Sequence, residues 1–366
     1  PPLDTISPAL PNPKNCDRKD VFKWCIEELT ACINSGSLVS KSNINDTEAI
    51  CVVSKQFAQA LAGKVYLFSG DNSNAATYLK SVITSNYYAL VPDFSNNFRL
   101  AGNRNSEKIF ELDMEKYSGP GYVDDSLLPY MGMETSLWNW YSNGFVADPM
   151  ARISSIKGKG ELGVSQSFAE KIKDNEGQDG YRLQLTLKDV RTAIVDSHDY
   201  ESTEINAMSP ADREKSNKVG IKDEGLYGQS FYFPNKTLVL NEDLNPWNGN
   251  RRTNFTIMRY AEVLLLAAEA FRESDNATAT EYCNAVRTRA KLSPKANVTL
   301  ENIIDEKSFE LWMEGCRWTD LVRWSVQNGI KIEDLLGKVG KTYTVLYDKL
   351  TRPPKEAETS AISWEN

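Results

Sequence analysis

The sequence has almost no histidine and few cysteines. His198 is the only histidine among 366 residues, and the six cysteines include no Cys-x-x-Cys pair. A zinc site requires about three or four nitrogen, sulfur or oxygen ligands at close spacing, so we predict no metal site. No Gly-x-Ser-x-Gly motif is present. A polar surface position is therefore favoured for His198 over a place in a Ser-His-Asp triad.

The sequence also lacks an excess of positive charge and any long apolar run. Lys and Arg number 42 against 50 for Asp and Glu, which gives a formal net charge of −8. Proteins that follow nucleic-acid phosphates normally carry a basic excess or a basic stripe, so we predict no nucleic-acid partner. No apolar run of about 18 residues occurs, and a membrane-spanning helix is therefore not predicted.

Helical periodicity marks both ends of the sequence. Hydrophobic residues make up 41% of the chain, which is enough for a sizeable core. Apolar residues at three-to-four spacing predict helices from about Asp20 to Gly36, over 55–69 and from about Asn72. The same spacing predicts helices over 258–272, 281–290 and 299–314. We therefore expect a mainly α fold.

The two helices predicted after residue 55 have the character of a tetratricopeptide (TPR) hairpin. Gly63, Tyr66 and Ala75 fall where that repeat places a small, an aromatic and a small residue. A weaker copy lies over 261–290, where alanines take the small positions. Two copies that are not adjacent indicate a TPR-like helical scaffold interrupted by a long insertion.

The insertion is rich in Gly, Asn, Asp and aromatic residues and carries little helical periodicity. We predict three short strands in it, over 108–113, 181–187 and 237–240. In the second, Leu183, Leu185 and Leu187 alternate as in a half-buried strand. Long loops of this kind are normally functional. The predicted regions are an extended segment with TPR-like helices over 1–87, a loop-rich candidate ligand-binding region over 88–257, and a helical region with a polar tail over 258–366.

Four segments carry a resemblance to a known family. They are SEKIFEL at 106–112, MRYAEVLLLAAEA at 258–270, NAVRTRA at 284–290 and IDEKSFELWMEGCRWTDLVRW at 304–324. In this order they resemble motifs of the SusD/RagB family, from which Lys307 departs by replacing an arginine. The family's N-terminal part, with its signal peptide and lipidated cysteine, and its C-terminal close are not evident. We therefore expect this chain to be part of a longer protein.

The resemblance implies a function as well as a fold. SusD/RagB proteins are surface-exposed lipoproteins of the bacterial outer membrane. They capture an oligosaccharide or polysaccharide and pass it to a SusC-like TonB-dependent transporter. The resemblance thus implies a non-catalytic glycan-binding protein that uses no cofactor and is held at the membrane by a lipid anchor.

Three carboxylates in the last family motif require a physical explanation. Glu306, Glu310 and Glu314 fall at i, i+4 and i+8 of a predicted helix, where like charges repel one another. The pattern predicts that arginines face them. The candidates are Arg259, Arg287, Arg289 and Arg317. The alternative is a carboxylate pair for glycoside hydrolysis, which requires two groups about 5–10 Å apart across a cleft; a single helix face leaves no room for a sugar.

Aromatic residues cluster between positions 117 and 145, interleaved with Gly and Asn. Sugar rings present apolar C–H faces, which flat aromatic side chains cover, and polar rims, which amide groups bind. The candidate glycan-binding residues are Tyr122, Tyr130, Trp138, Asn139, Trp140, Tyr141 and Trp247. The alternative is that these rings fill a small satellite core beneath a long loop. Trp312, Trp318 and Trp324 lie in helical motifs, and we predict them in the core.

Two other functions remain open from the sequence. Asp124 and Asp125 lie in the same Gly-containing and Pro-containing loop, and a glycoside hydrolase that uses one of them is the alternative from another class. The third possibility is a helical adaptor, or a transporter partner, that binds peptides in place of glycans.

Overall fold

The computed structural model describes residues 17–114, 164–189, 221–222, 225–226, 232–237, 240–243, 252–332 and 334. Helices dominate this part of the chain. They are α1 (Arg18–Asn34), α2 (Lys55–Ser69), α3 (Asn72–Ile83), α4 (Gln166–Glu176), α5 (Tyr181–Thr186), α6 (Tyr260–Phe271), α7 (Asn276–Arg289), α8 (Leu300–Glu310) and α9 (Arg317–Asn328). None of these helices is both long and apolar enough to cross a membrane.

Strands are short and form three two-stranded antiparallel sheets in the described residues. The strands are β1 (Lys108–Leu112), β2 (Leu187–Asp189), β3 (Ile221–Lys222), β4 (Gly225–Leu226), β5 (Tyr232–Pro234) and β6 (Phe255–Arg259). The pairs are β1 with β6, β2 with β5 and β3 with β4. The predicted fold class, a mainly α scaffold with a few short strands in the insertion, is confirmed.

The hairpin α2–α3 forms as its sequence predicts. The Ser54 hydroxyl caps α2 by accepting from the backbone N–H of Phe57 at 3.2 Å. Gly70 ends this helix in the left-handed region, with φ of 93°. Asp71 then caps α3 by accepting from the N–H of Asn74 at 3.0 Å. Two caps and one glycine thus turn the chain back on itself within two residues.

The second hairpin, α6–α7, supplies the centre of the core. Every residue of α6 from Tyr260 to Ala270 is buried, because the helix packs against α2, α3, α7 and α8 together. A helix that is apolar almost all round belongs in such a position. One continuous hydrophobic cluster joins both hairpins, which confirms the TPR-like scaffold.

One predicted strand is wrong. Residues 181–186 form α5, and only Leu187 continues into a strand. Leu183 and Leu187 are both 2% exposed, and Arg182 and Thr186 are buried beside them. These two i, i+4 pairs give the helix one buried face, and the alternating leucines concealed that spacing. Of the stretch predicted as a strand over 237–240, Thr237 lies in a turn, and the next two residues lie outside the described part.

Gly63 is a position at which α2 and α3 approach closely. A Cβ atom on Gly63 would lie 2.6 Å from Leu79 Cγ and 3.3 Å from the carbonyl oxygen of Ala75. We expect Gly63→Ala to lower the free energy of unfolding, because overpacking of about 1–3 kcal/mol exceeds the helix-propensity gain of at most about 1 kcal/mol.

The control is the same substitution in a Leu79→Ala background, where the 2.6 Å contact with Leu79 Cγ is removed. There we expect Gly63→Ala to stabilise the protein by about 0.5–1 kcal/mol. Urea denaturation of the four proteins measures both effects. Equal changes in the two backgrounds would contradict the close approach of the helices.

Candidate functional site

The predicted glycan contacts lie outside the described residues. They are Tyr122, Tyr130, Trp138, Asn139, Trp140, Tyr141 and Trp247, and the same holds for Asp124 and Asp125. Their roles stay predictions. The structure does describe the two strands that flank the span in which these residues lie.

That part is the ribbon formed by β1 and β6. Leu112, at the end of β1, pairs with Phe255, at the start of β6. Asn254 joins the two strands further, since its Oδ1 accepts from the N–H of Met114 and its own N–H donates to Asn103 Oδ1, both at 2.9 Å. The span that carries all the predicted contacts therefore starts and ends side by side on the helical scaffold.

Glu310, the last residue of α8, is the centre of a buried ionic cluster next to this ribbon. Its carboxylate accepts from Arg259 Nη1 at 2.6 Å and from Arg182 Nη1 at 2.9 Å, and Arg289 is a third partner. Glu107 binds two of these arginines, at 2.6 Å from Arg259 and 3.1 Å from Arg289. All five side chains are at most 4% exposed.

Three of the four arginines predicted to face the acidic stripe do so. Arg259 and Arg289 bind Glu310, and Arg287 binds Glu306 at 3.0 Å. These predictions are confirmed.

The fourth prediction, for Arg317, is wrong. Among the described residues its guanidinium donates only to the backbone oxygen of Ile304, at 3.4 Å, and lies 5.6 Å from the ring centroid of Trp324. The reason is local, because α8 ends at Glu310 and the predicted stripe is broken there. The chain then turns through Met313 and Gly315, both with positive φ.

Glu314 reaches the cluster from that turn, and no longer from a helix face. Its two oxygens accept from Arg259 Nε at 2.6 Å and Nη2 at 2.8 Å. Lys236, from the insertion, also pairs with Glu314 and donates to the backbone oxygens of Glu310 and Trp312, both at 2.9 Å. Burial lowers the pKa of Lys236 to about 8.

Arg182 also joins the cluster from the insertion. It lies on α5, is fully buried, and bridges Glu176 at 2.7 Å and Glu306 at 2.6 Å. Sequence analysis identified neither Arg182 nor Lys236. No local pattern marks them, since their partners on α8 and in the turn after it lie 74 or more residues away along the chain.

The cluster controls the protonation of its carboxylates. Burial by itself raises the pKa of Glu310, but Arg289, Arg259 and Arg182 outweigh burial and hold this pKa well below its ordinary value. In the same way, Arg259 and Lys236 outweigh burial and lower the pKa of Glu314. A general acid for glycoside cleavage requires the opposite, a carboxyl group whose pKa is raised. These two acids therefore lack the raised pKa that a general acid requires.

A pocket of about 360 Å³ opens beside the cluster, between the start of α4 and the turn from α8 to α9. One wall is aromatic, because Phe168 stacks on Trp312 with ring centroids 5.2 Å apart and an angle of 13° between the planes. Ligand sites for small molecules commonly enclose about 300–1,000 Å³. Trp324 is fully buried as predicted, whereas Trp312 is only partly buried.

The charged side chains around the pocket differ in whether they form ion pairs. Lys307 pairs with Asp320 at 2.5 Å, and Lys171 pairs with Asp305. Arg317, which lines the same pocket, has no ion pair with any described carboxylate, and burial lowers its pKa. Sequence analysis missed this pocket because its walls come from segments that are more than 100 residues apart.

Replacing Glu310 by Gln leaves three buried arginines with less negative charge to compensate them. We expect Glu310→Gln to lower the free energy of unfolding by about 3–5 kcal/mol, as is typical of a broken buried ion pair. Glu281→Gln, the same change at an exposed position of α7, is the control and should have little effect. Urea denaturation at pH 7 measures both, and similar values for the two variants would contradict the central role of Glu310.

The lowered pKa of Glu310 and of Glu314 also predicts acid sensitivity. Both carboxyls bind protons less readily in the folded than in the unfolded chain, so their contribution is fully present above the ordinary Glu pKa and is lost as pH falls below it. We expect the unfolding free energy to drop from about pH 5 downward. The drop should be shallower in Glu310→Gln. Denaturation curves at several pH values measure it, and parallel profiles would refute the assignment.

Comparison with known proteins gives a consistent result. The SusD family, represented by the SusD_RagB profile, matches residues 146–366, which is more than half of the chain. SusD-like protein P2 of Formosa agariphila is 29% identical over 301 residues, which cover 76% of this chain and 52% of that protein. The chain thus spans about half the length of the curated relatives it matches.

Solved structures share the fold. A laminarin-binding SusD-like protein superimposes with a TM-score of 0.65 at 22% identity, over 92% of this chain and 68% of that one. Surface glycan-binding protein A from Bacteroides thetaiotaomicron, in complex with laminarihexaose, gives a TM-score of 0.62 at 22% identity, over 83% and 61%. The chain shares the helical fold of these structures, and the family profile matches its residues 146–366. The chain therefore belongs to the SusD family.

Proposed function

We propose that this protein captures glycans at the bacterial cell surface and passes them to a transporter. In this proposal it is a lipid-anchored protein of the outer membrane, and its partner is a SusC-like TonB-dependent transporter. The ligand is an oligosaccharide or a fragment of a polysaccharide.

Membership of the SusD family is the observation that carries the proposal. The curated relatives are named as SusD-like proteins. Of the solved structures that share the fold, one is described as laminarin-binding and another holds laminarihexaose. Because this chain spans about half of its relatives' length, the ligand and the partner of the whole protein are part of the proposal.

The proposed glycan contacts are the aromatic and amide residues of the insertion. They are Tyr122, Tyr130, Trp138, Asn139, Trp140, Tyr141 and Trp247. Two features support this proposal. Aromatic faces next to amides match the apolar faces and polar rims of sugars, and the β1–β6 ribbon holds both ends of the span that carries these residues.

We propose further that binding involves no bond cleavage. Glu306 and Glu310 are 1% and 0% exposed, and both bind Arg182. A substrate therefore cannot reach these two carboxylates. The remaining hydrolytic candidates are Asp124 and Asp125, for which a direct test is available.

The test of the aromatic contacts uses Trp138→Ala and Trp140→Ala. The probes are laminarihexaose and a panel of other neutral and acidic oligosaccharides, measured by titration calorimetry. We expect each substitution to weaken oligosaccharide binding by about 1–3 kcal/mol, because the sugar loses the indole ring on which it stacks. Trp24→Ala removes an exposed Trp on α1 and should leave the affinity unchanged.

Unchanged affinity in both Trp138→Ala and Trp140→Ala would discard these residues as anchors. The same incubations decide between binding and hydrolysis. New reducing ends that appear at enzymatic rates, and are lost in Asp124→Asn or Asp125→Asn, would establish the hydrolase in place of the binding protein. Binding of a peptide pool without binding of any glycan would favour the peptide alternative.

A further inference from the structure

We propose that the pocket between α4 and the α8–α9 turn binds a carboxylate-bearing sugar, and that Arg317 recognises the carboxylate. This inference rests on the proposed capture of glycans and names the class of glycan. The pocket is separate from the aromatic residues of the insertion proposed above. All of its lining residues lie in the described part of the chain.

Arg317 differs from the other arginines of the interior in its partners. Arg182, Arg259, Arg289 and Arg323 each bind at least one carboxylate directly. Arg317 binds none among the described residues, and its one hydrogen bond to a backbone oxygen is long, at 3.4 Å. A guanidinium has five N–H donors, so most of its donor capacity is unused.

Arg317 is partly withdrawn from water. It packs against the ring of Trp324 at 5.6 Å, and burial lowers its pKa, although the charges of Asp320 and Asp305 oppose that effect. A partly desolvated cation without a counter-ion is unfavourable. An incoming carboxylate would supply the missing charge and, by its planar geometry, accept two parallel N–H bonds.

The nearby carboxylates already bind other cations and are not available to Arg317. Asp320 is bound by Lys307 at 2.5 Å and by Arg323 at 2.9 Å, and Asp305 is bound by Lys171. Asp334, which is exposed, also lines the pocket. It is the one lining acid without an ion pair to a described cation, and it would disfavour an anion that bound next to it.

The rest of the pocket lining suits a sugar. The Phe168–Trp312 pair presents aromatic surface, which matches the apolar face of a pyranose ring. Ser165, Ser167 and Ser308 add hydroxyl groups to the lining, which match the polar rim. A volume of about 360 Å³ is at the lower end of the range for small-molecule sites, so the pocket would hold one or two sugar units.

Covalent catalysis by Cys316 is not indicated. Cys316 lines the pocket, but burial raises the pKa of its thiol to about 12. The thiol therefore stays protonated at neutral pH and is a poor nucleophile. The pocket is a binding site in this proposal.

The experiment compares acidic oligosaccharides with their own methyl esters, which keep the sugar and remove the charge. The probes are trimers of galacturonate, glucuronate, mannuronate and guluronate, titrated into the full chain in a calorimeter. We expect at least one free acid to bind, and its ester to bind about 10- to 100-fold more weakly, as for a hydrogen-bonded charge pair. Laminarihexaose serves as the neutral probe.

Variants assign the effect to Arg317. In Arg317→Gln the acid and its ester should bind equally weakly, and in Arg317→Lys, which keeps the charge but not the fork of donors, the difference should be intermediate. Arg18→Gln removes an exposed charge on α1 and should change nothing. Thermal unfolding shows whether each variant folds. Should Arg317→Gln fail to fold, the lysine variant and the ester comparison in the wild type still decide.

The possible failures are distinguishable. If laminarihexaose or another neutral glycan binds, but no free acid binds better than its ester, the inference is wrong and the proposed function stands. If an acid binds better than its ester and Arg317→Lys retains the whole difference, Arg317 is not the recognising group. If neither neutral nor acidic glycans bind, the inference and the proposed function both fall.

Discussion

A carboxylate that is withdrawn from water is stable only when cations surround it, and the described fold is arranged around one such group. Glu310 is fully buried and binds three arginines, which come from three separate parts of the chain. Arg182 lies in the insertion, Arg259 ends the ribbon, and Arg289 ends the second hairpin. Each arginine can reach Glu310 only if its own segment is correctly docked, so one carboxylate fixes the relative positions of all three.

This arrangement specifies the structure more than it stabilises it. Buried ion pairs gain little over well-packed apolar residues, because the desolvation penalty offsets the attraction. They do penalise incorrect arrangements, since any misdocked segment would leave a charge buried and unpaired. In the described part of the insertion, a small apolar cluster that includes Ile172 and Leu183 packs on Phe309. Lys236, with three oxygen acceptors at the α8–α9 turn, holds the insertion in place by the same principle.

Sequence patterns predicted the parts of this fold that depend on neighbours along the chain. The ranges of α2 and α3 and the apolar spacing of both hairpins are local signals, and the structure follows them. The error at 181–187 is also local, because three alternating leucines favour a strand, whereas the helical face includes Arg182, whose burial its residue type does not indicate. The pairing of Arg182 and Lys236 with residues of α8 and the turn after it depends on contacts between distant segments, which no single-sequence pattern encodes. The same is true of the walls of the pocket.

The α8–α9 turn connects the ionic cluster around Glu310 with the pocket. It also explains why Arg317 differs from the other arginines. A continuous helix would have extended the acidic stripe to Glu314 and brought Arg317 to its end. Instead the positive φ angles of Met313 and Gly315 turn Glu314 back to Arg259 and leave Arg317 at the start of α9, next to the pocket. The backbone oxygen of Trp312 binds Lys236 while its ring stacks on Phe168. The geometry of the pocket therefore depends on the ionic cluster, because the same few residues of the turn belong to both.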